Sequence, residues 1–170
     1  MVPVQVQGVA VVAAETTPVV LLRETEGRRR WLAITIGGPE ATELAQAQAQ
    51  AVTTRPGTIE LIGQVIAAFG HRVTRVEVTQ LHEGVFHADL VLDEGLRVSA
   101  RPSDALALGL RADVPVEVDE KVLDEAAIEL VAEGDDEDLA DGDDREREVE
   151  EFRTLLDEVT PDDFRDPRED

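Results

Sequence analysis

Carboxylates and arginines are the side chains through which this 170-residue chain could do chemistry. It has no cysteine, which excludes disulfides, thiolate metal sites and cysteine nucleophiles. Its histidines, His71, His82 and His87, follow no metal-ligand spacing, and no phosphate-binding loop or nucleophile elbow is present. Carboxylates that hold divalent metals, beside arginines that neutralise developing charge, are what hydrolytic phosphoryl chemistry requires. The candidates are Glu40, Glu60, Asp89 and Asp104, with Arg55, Arg101 and Arg111.

The stretch 100–111 places a cation and a carboxylate at the start of an apolar helix. Pro102 ends the preceding extended segment, Ser103 has the chemistry of an N-cap, and Asp104 follows in the first turn, where the helix dipole favours a negative charge. Arg101 stands beside them, so a phosphate could bind to the free amides of this helix end. A helix cap with a local ion pair is the alternative interpretation, and the spacing alone leaves both open.

Net charge argues against a generally nucleic-acid-binding surface. The formal charge is −22, of which residues 1–130 contribute −8 and residues 131–170 contribute −14. Such a field repels a polyanion at long range, so nucleic-acid binding would depend on a local arginine cluster or on metal ions.

The chain begins without a signal-peptide pattern and has no apolar run long enough to span a bilayer. We therefore expect a cytoplasmic protein that does not enter membranes.

Hydrophobic patterning predicts an α+β fold of antiparallel hairpins packed with short helices. The turns that join 73–81, 85–92 and 96–100 are short, which favours antiparallel pairing. Thr58 is the expected N-cap of the second helix and Gly70 its end. We interpret Arg28, Arg29 and Arg30 as an exposed, solvated edge. The predicted strands are 4–11 (irregular at Gly8), 19–23, 31–36, 73–81, 85–92, 96–100 and 115–118, and the predicted helices begin near 37, 58, 103 and 119.

Two features are read from finer patterns. A small-residue face on the first helix, formed by Ala41, Leu44, Ala45, Gln48 and Ala51, would let another element approach closely.

The segments 21–45 and 90–108 each have the pattern of a strand, an acidic turn, a second strand and a helix start with a proline and an early carboxylate. A hairpin-plus-helix duplication would explain this repeat, and so would chance, since such helix starts are frequent.

The composition changes after residue 130. Residues 131–144 form an acidic, glycine-interrupted run that we expect to be a disordered linker between the domain 1–130 and the rest. Residues 145–170 carry an amphipathic helix and an acidic tail. The apolar stripe of that helix would dock on its own domain or on a protein partner. The stripe comprises Val149, Phe152, Leu155, Leu156 and Val159.

Several motifs, in order and at matching spacing, resemble the bifunctional nuclease family of bacteria and plants. They span about residues 18–130, and the resemblance implies a compact α+β domain that self-associates and cleaves RNA and DNA with little sequence preference. Two positions depart from the family's pattern: Ile59 stands where a histidine is usual and Ser99 where an acidic residue is usual. The motifs are Arg101-Pro102-Ser103-Asp104-Ala105-Leu106-Ala107-Leu108, Val20-Leu21-Leu22, Ile34-Thr35-Ile36-Gly37 with Glu40-Ala41, Arg55-Pro56 with Thr58, and Val114-Pro115-Val116.

On these matching positions we predict a site for a Mg²⁺- or Mn²⁺-dependent nuclease. The predicted catalytic residues are Asp104, Glu40 and Arg101, and the predicted metal ligands are Asp104, Glu40 and Asp89. A metal shared by His87 and Asp89 on one strand face, or simply a solvated polar face, are both open interpretations. A non-enzymatic regulatory module whose tail helix recruits a partner is the alternative function. The predicted substrate-binding residues are Arg55, Ser103, Thr58 and Arg111.

The acidic tail is expected to restrain access of nucleic acid to the domain. A tethered anion competes at an effective concentration of order millimolar, so even weak binding to an arginine cluster suffices. Removal of residues 131–170 should strengthen nucleic-acid binding at low salt, and the gain should shrink as salt screens the tail. If the tail helix is a structural clasp instead, truncation lowers the melting temperature and gives no salt-dependent gain. Affinity and melting of the truncated chain at two salt concentrations separate these outcomes.

Overall fold

A computed structural model describes residues 1–11, 17–52 and 54–128. Within them, three strands are followed by two helices and three further strands, after which helix and strand alternate. The strands form one mixed sheet in the order β6-β5-β4-β7-β1-β2-β3-β8. Neighbouring strands pair antiparallel except β4 with β7, which is parallel. The strands are β1 (Val2–Val11), β2 (Pro18–Glu24), β3 (Trp31–Thr35), β4 (Val73–His82), β5 (Val85–Leu92), β6 (Arg97–Ala100), β7 (Val116–Val118) and β8 (Ala127–Ile128), and the helices are α1 (Gly38–Gln48), α2 (Thr58–Ala68), α3 (Pro102–Ala112) and α4 (Glu120–Ala126).

The predicted α+β class and hairpins are confirmed. The two segments of the predicted repeat each form an antiparallel strand pair followed by a helix with a proline in its first turn. The predicted irregularity at Gly8 is a register shift in the β1–β2 pairing, where Gly8 adopts a φ of 148°. The composition predicts a last helix over about 119–130, but α4 ends at Ala126, because the next two residues pair with edge strand β3. No helix in the described ranges is long and apolar enough to cross a membrane. The predicted linker and tail helix lie outside the described residues.

Helix α3 is the centre of the core. It contacts β4, β5, α1 and α2, and its buried residues lie all round it, as its composition predicts. On the sheet face that it covers, Val76, Val78, Ala88 and Leu90 are buried. The side chains that alternate with these on β4 and β5, including Glu77 and Asp89, lie on the opposite face of the sheet.

Helices α1 and α2 only partly follow the faces predicted for them. In α1 the buried residues are Leu44 and Ala47, whereas Ala45 and Gln48 are exposed. The residues of α1 that pack inside the domain thus lie at a spacing of three. Close approach of another element to Ala45 and Gln48 stays a prediction, because both are exposed in the single chain. The apolar spacing of the second helix predicts a buried face of Ile59, Ile62, Ile66 and Phe69. Helix α2 packs mainly on α3, and of these residues Ile59 is buried whereas Ile62 and Phe69 are exposed.

Helix starts differ by one residue from the prediction. Arg101 occupies the N-cap position of α3 and Pro102 its first turn, so Ser103 is a buried residue inside the helix and caps nothing. The N-cap of α2 is Gly57, and Thr58 is the first helical residue. Proline favours the first helical position because its φ is already helical and it lacks the amide that would be unpaired there. This preference moves the start of α3 upstream of Ser103.

The interpretation of Arg30 as part of an exposed edge is wrong. Its side chain is 14% exposed and its guanidinium Nη2 lies 2.7 Å from Oε1 of Glu24 and 2.7 Å from Oε1 of Glu120. A further ion pair of 2.7 Å joins Arg30 Nη1 to Asp124 Oδ1. The network ties the β2–β3 hairpin to α4. Hydrogen bonds from Arg30 hold the pKa of the buried Glu24 below its ordinary value, although burial opposes this.

This network predicts a loss of stability in acid. The pKa of Glu24 is lowered in the folded state, so Glu24 stabilises the fold above its ordinary pKa of 4.5, and this is lost as the pH falls through the folded-state value. Glu24→Gln should lower the free energy of unfolding at pH 7 by about 1 to 3 kcal/mol, the range for charged hydrogen bonds. The difference in the free energy of unfolding between Glu24→Gln and the wild type should become smaller near pH 3. Urea unfolding at pH 7 and pH 3 tests this, with Glu26→Gln on the neighbouring turn as control. An equal difference in the free energy of unfolding at the two pH values would contradict it.

Because α3 lies so close to the sheet, we expect a side chain added at Gly109 to destabilise the fold. A Cβ added at Gly109 would lie 2.5 Å from Cγ2 of the buried Val76. Gly109→Ala should therefore lower the free energy of unfolding by about 1 to 3 kcal/mol, despite the better helix propensity of alanine. Gly63→Ala in α2 is the matched control, because its Cβ would meet Leu108 at an ordinary 3.7 Å. That variant should be neutral or more stable by up to about 1 kcal/mol. Thermal melting of both variants gives the comparison.

Candidate active site

Arg101 joins the N-terminal ends of two helices that are distant in sequence. Its Nη1 donates a hydrogen bond of 2.8 Å to Oε1 of Glu40 in α1. Its Nε and Nη2 donate to the two carboxylate oxygens of Asp104 in α3, at 2.7 and 3.0 Å. Hydrogen bonds to Asp104 and then to Glu40 raise the pKa of Arg101. The three predicted catalytic residues are therefore in direct contact.

Local sequence explains why both carboxylates lie at helix starts. Glu40 and Asp104 are each the third residue of their helix, after N-cap residues Gly37 and Arg101. Negative charge is favoured there because the first-turn amides and the helix dipole are positive. Each helix follows an antiparallel strand pair, and α1 packs against α3. Packing of the two helices thus brings the carboxylates to one guanidinium.

Two surface hollows meet at these residues, and Glu40, Arg101 and Ser103 line both. The first, which we term the acidic hollow, is about 210 Å³ and contains Asp104 and Glu43. Its other lining residues are Pro39, Thr58, Ile59 and Ala107. The second, which we term the apolar hollow, is about 390 Å³ and is lined mostly by carbon: Ile34, Thr35, Ile36, Gly37, Gly84, Val85, Phe86 and Pro102. The Arg101 side chain is 64% exposed, so it is accessible to a ligand in either hollow.

Two of the predicted substrate-binding residues lie at this site and two do not. Ser103 and Thr58 line the acidic hollow. Arg111 instead forms a 2.7 Å ion pair with Glu60 and donates a 2.7 Å hydrogen bond to the carbonyl oxygen of Ala51. It lines a separate cavity of about 770 Å³ between α2, α3 and the start of β4. Arg55 is exposed and lines neither hollow.

Asp89 does not join the other predicted metal ligands. It lies on the opposite face of the sheet, where Oδ2 accepts a 3.1 Å hydrogen bond from Nε of Arg97. Across the described ranges, no group of three or more acidic or histidine side chains is gathered closely enough to hold a metal ion. The prediction of Asp89 beside Glu40 and Asp104 is wrong, because strand alternation directs it away from the helices. Glu40 and Asp104 remain as the carboxylate pair.

The two departures from the family pattern fall in different places. Ile59, where a histidine is usual, is buried and lines the acidic hollow. Ser99 pairs with Asp89 on the β5–β6 ladder, away from both hollows. The Ile59 change therefore concerns the candidate site, and the Ser99 change does not.

Sequence reasoning missed Glu43 and Phe86 as residues of the site. Glu43 follows Glu40 by three residues, which places both on the same side of α1. This spacing was the signal that could have found it. Phe86 shares a strand face with Ala88 and Leu90 and so reads as core. Its position two residues after Gly84 at the hairpin end leaves it half-buried in the wall of the apolar hollow.

Comparison with known proteins agrees with the resemblance seen in the motifs. Two curated relatives, both described as uncharacterized proteins of Mycobacterium tuberculosis, come from strains CDC 1551 / Oshkosh and ATCC 25618 / H37Rv. Each is 45% identical to this chain over 162 residues, covering 95% of this chain and 97% of its own length. The sequence model of the bifunctional nuclease domain matches residues 20–131, which include Glu40, Arg101 and Asp104. The chain belongs to the bifunctional nuclease domain family.

Proposed function

We propose that this protein is a divalent-metal-dependent nuclease of low sequence specificity that cleaves RNA and DNA at the site of Glu40, Arg101 and Asp104. Membership of the family suggests a nuclease-type function and, with it, binding of nucleic acid. The observation that carries the assignment to this site is the convergence of two carboxylates and one guanidinium at the ends of α1 and α3.

Local charge supports a requirement for a metal ion. Glu40, Glu43 and Asp104 line the acidic hollow, and Arg101 is the cation beside them. A phosphate entering this hollow is repelled unless a divalent cation offsets the carboxylates. Mg²⁺ is commonly held by one or two carboxylates, with waters and substrate phosphate oxygens as its other ligands. Glu40 and Asp104 fit this pattern and are the residues that would hold it.

The metal ion, when bound, would polarise the phosphodiester and lower the pKa of a bound water. Arg101 has a separate role. Once Glu40 and Asp104 engage a cation, its guanidinium can donate to non-bridging phosphate oxygens, for which its planar donor pair is well suited. The same charge stabilises the negative charge that builds up during cleavage. First-turn amides of α1 and α3 add positive potential at the same place.

Under this proposal the four predicted substrate-binding residues have different roles. Ser103 and Thr58 border the phosphate position. Arg55, which is exposed and lines neither hollow, would contact the nucleic-acid backbone outside them. Arg111 stabilises the junction of α2 and α3 through Glu60 and Ala51, which is a structural role.

A non-enzymatic binding module is the second candidate, favoured by one observation. Ile59 provides no proton-transferring group at a position lining the acidic hollow. If the usual histidine is the general base of the family, this chain binds nucleic acid and cleaves it slowly or not at all. In that case the Glu40–Arg101–Asp104 cluster serves to tie α1 to α3.

Asp104→Asn tests the assignment. It should reduce cleavage of single-stranded RNA and DNA in Mg²⁺ or Mn²⁺ by about a hundredfold or more, the scale seen when one stabilising group is removed. The melting temperature should change by only a few degrees, because an exposed ion pair contributes about 1 kcal/mol or less. Glu120→Gln is the matched control, since Glu120 is also a first-turn carboxylate bound to an arginine.

Three results would count against the proposal. Full activity of Asp104→Asn removes Asp104 from the site. Wild-type cleavage that persists in excess chelator removes the metal requirement. Absence of any cleavage by the wild type, together with measurable binding, supports the binding module.

A further inference from the structure

The apolar hollow is an unassigned cavity that opens beside Arg101. Its walls include Ile34, Ile36, Val85, Phe86 and Pro102. Its volume of about 390 Å³ is near the lower end of the range of about 300 to 1,000 Å³ for small-ligand pockets. It is therefore suited to one flat, apolar-faced group and too small for a base pair with its backbones.

The position of the apolar hollow, next to the acidic hollow, makes a nucleobase its fitting occupant. Glu40, Arg101 and Ser103 border both hollows, so a polymer whose phosphate contacts Arg101 in the acidic hollow has its next substituent at the apolar hollow. In a nucleic acid that substituent is a base. The aromatic side chain in the wall is Phe86, which packs against the core and is held there by strand β5. Aromatic side chains are the groups on which unpaired bases stack, and every base can stack in this way.

We propose that the apolar hollow is a subsite for one unpaired base next to the cleaved phosphate, stacked on Phe86, so that the substrate is single-stranded nucleic acid. The inference rests on the proposed function, because it takes the phosphate to lie at Arg101. A base enters such a hollow only when it has left its partner and its stack. A duplex keeps its bases paired and stacked, so none can enter the hollow, while its phosphates are repelled by a chain of net charge −22.

The lining also fits the low sequence preference proposed for this site. Apart from Arg101 and Glu40 at the mouth and Ser103 beside them, Thr35 is the polar side chain in this hollow. Hydrogen bonds to base edges are what distinguish one base from another, whereas stacking is tolerant of sequence. The site therefore selects for unpaired strands and not for a particular base.

The test uses the full chain and one oligonucleotide, either alone or annealed to its complement. Affinity is measured by fluorescence anisotropy with Ca²⁺ in place of Mg²⁺, and cleavage is measured separately with Mg²⁺. Phe86→Leu keeps an apolar side chain and removes the ring. It should weaken binding of the single strand by roughly 5- to 150-fold, the range for loss of one stacked base. Phe69→Leu is the matched control, because Phe69, the C-cap residue of α2, is 79% exposed and lines neither hollow.

A strand of the same length and phosphate count whose bases are all replaced by abasic sugars gives a second test. The wild type should bind it more weakly than the normal strand, and Phe86→Leu should weaken binding of the normal strand without weakening binding of the abasic strand further. Equal affinity of the wild type for the normal and abasic strands, equal affinity for strand and duplex, or Phe86→Leu binding like Phe69→Leu would each overturn the base subsite.

Cleavage then separates this inference from the proposed function. Wild-type cleavage of strand and duplex at equal rates, with no effect of Phe86→Leu, leaves the nuclease proposal standing and removes the subsite. Single-strand binding that depends on Phe86, without cleavage, supports the subsite and removes the nuclease proposal.

Discussion

Burial of α3 is the constraint on which the rest of this structure depends. The helix is enclosed by the sheet, α1 and α2, and Leu106 and Ala107 are almost completely buried. Gly109 lets its backbone approach Val76 more closely than any other residue would allow. A helix packed on all sides cannot slide or rotate without opening cavities, which proteins tolerate poorly. Its first turn is therefore held in place, and with it Arg101 and Asp104.

One electrostatic pattern recurs around that core. The third residue of α1, α2 and α3 is a carboxylate in each case: Glu40, Glu60 and Asp104. Glu40 and Asp104 form ion pairs with Arg101, the N-cap residue of α3. Glu60 forms an ion pair with Arg111, which lies within α3. Acidic side chains at these positions stabilise their own helices through the dipole. The arginines then link the helices to one another, so local preference and tertiary contact reinforce each other.

The opposite face of the sheet uses arginines in the same way. Glu117, Glu77 and Asp89 lie directly opposite one another on β7, β4 and β5, an arrangement of like charges that would be destabilising alone. Arg75 and Arg97 form ion pairs with Glu77, which is only 4% exposed. Burial would raise the pKa of Glu77, but hydrogen bonds from the two arginines outweigh it and lower the pKa. Much of the positive charge of the domain is thus committed to structure, which narrows where a phosphate can bind.

The sequence by itself determined the local elements and the kinds of chemistry available. Alternation and turn residues were enough for the hairpins of β2–β3 and β4–β6, and the apolar composition of 105–110 was enough for a buried helix, because these patterns act over a few residues. The motif around Asp104 likewise indicated the family. Details that depend on one residue, such as the N-caps of α2 and α3, were misplaced because proline and glycine compete with hydroxyl side chains for these positions.

Only the tertiary structure decided which side chains meet. Glu40 and Arg101 are 61 residues apart, and their contact follows from the packing of α1 on α3, which no local pattern encodes. The same holds for the burial of Arg30 by α4, the exit of α4 into β8, and the placement of Asp89 on the far face of the sheet. Phe86 reads as a core residue from its strand, but at the start of β5 it is only half-buried and lies in the wall of the apolar hollow, beside the first residues of α1 and α3. Local chemistry sets backbone conformation over a few residues, whereas long-range packing sets the site.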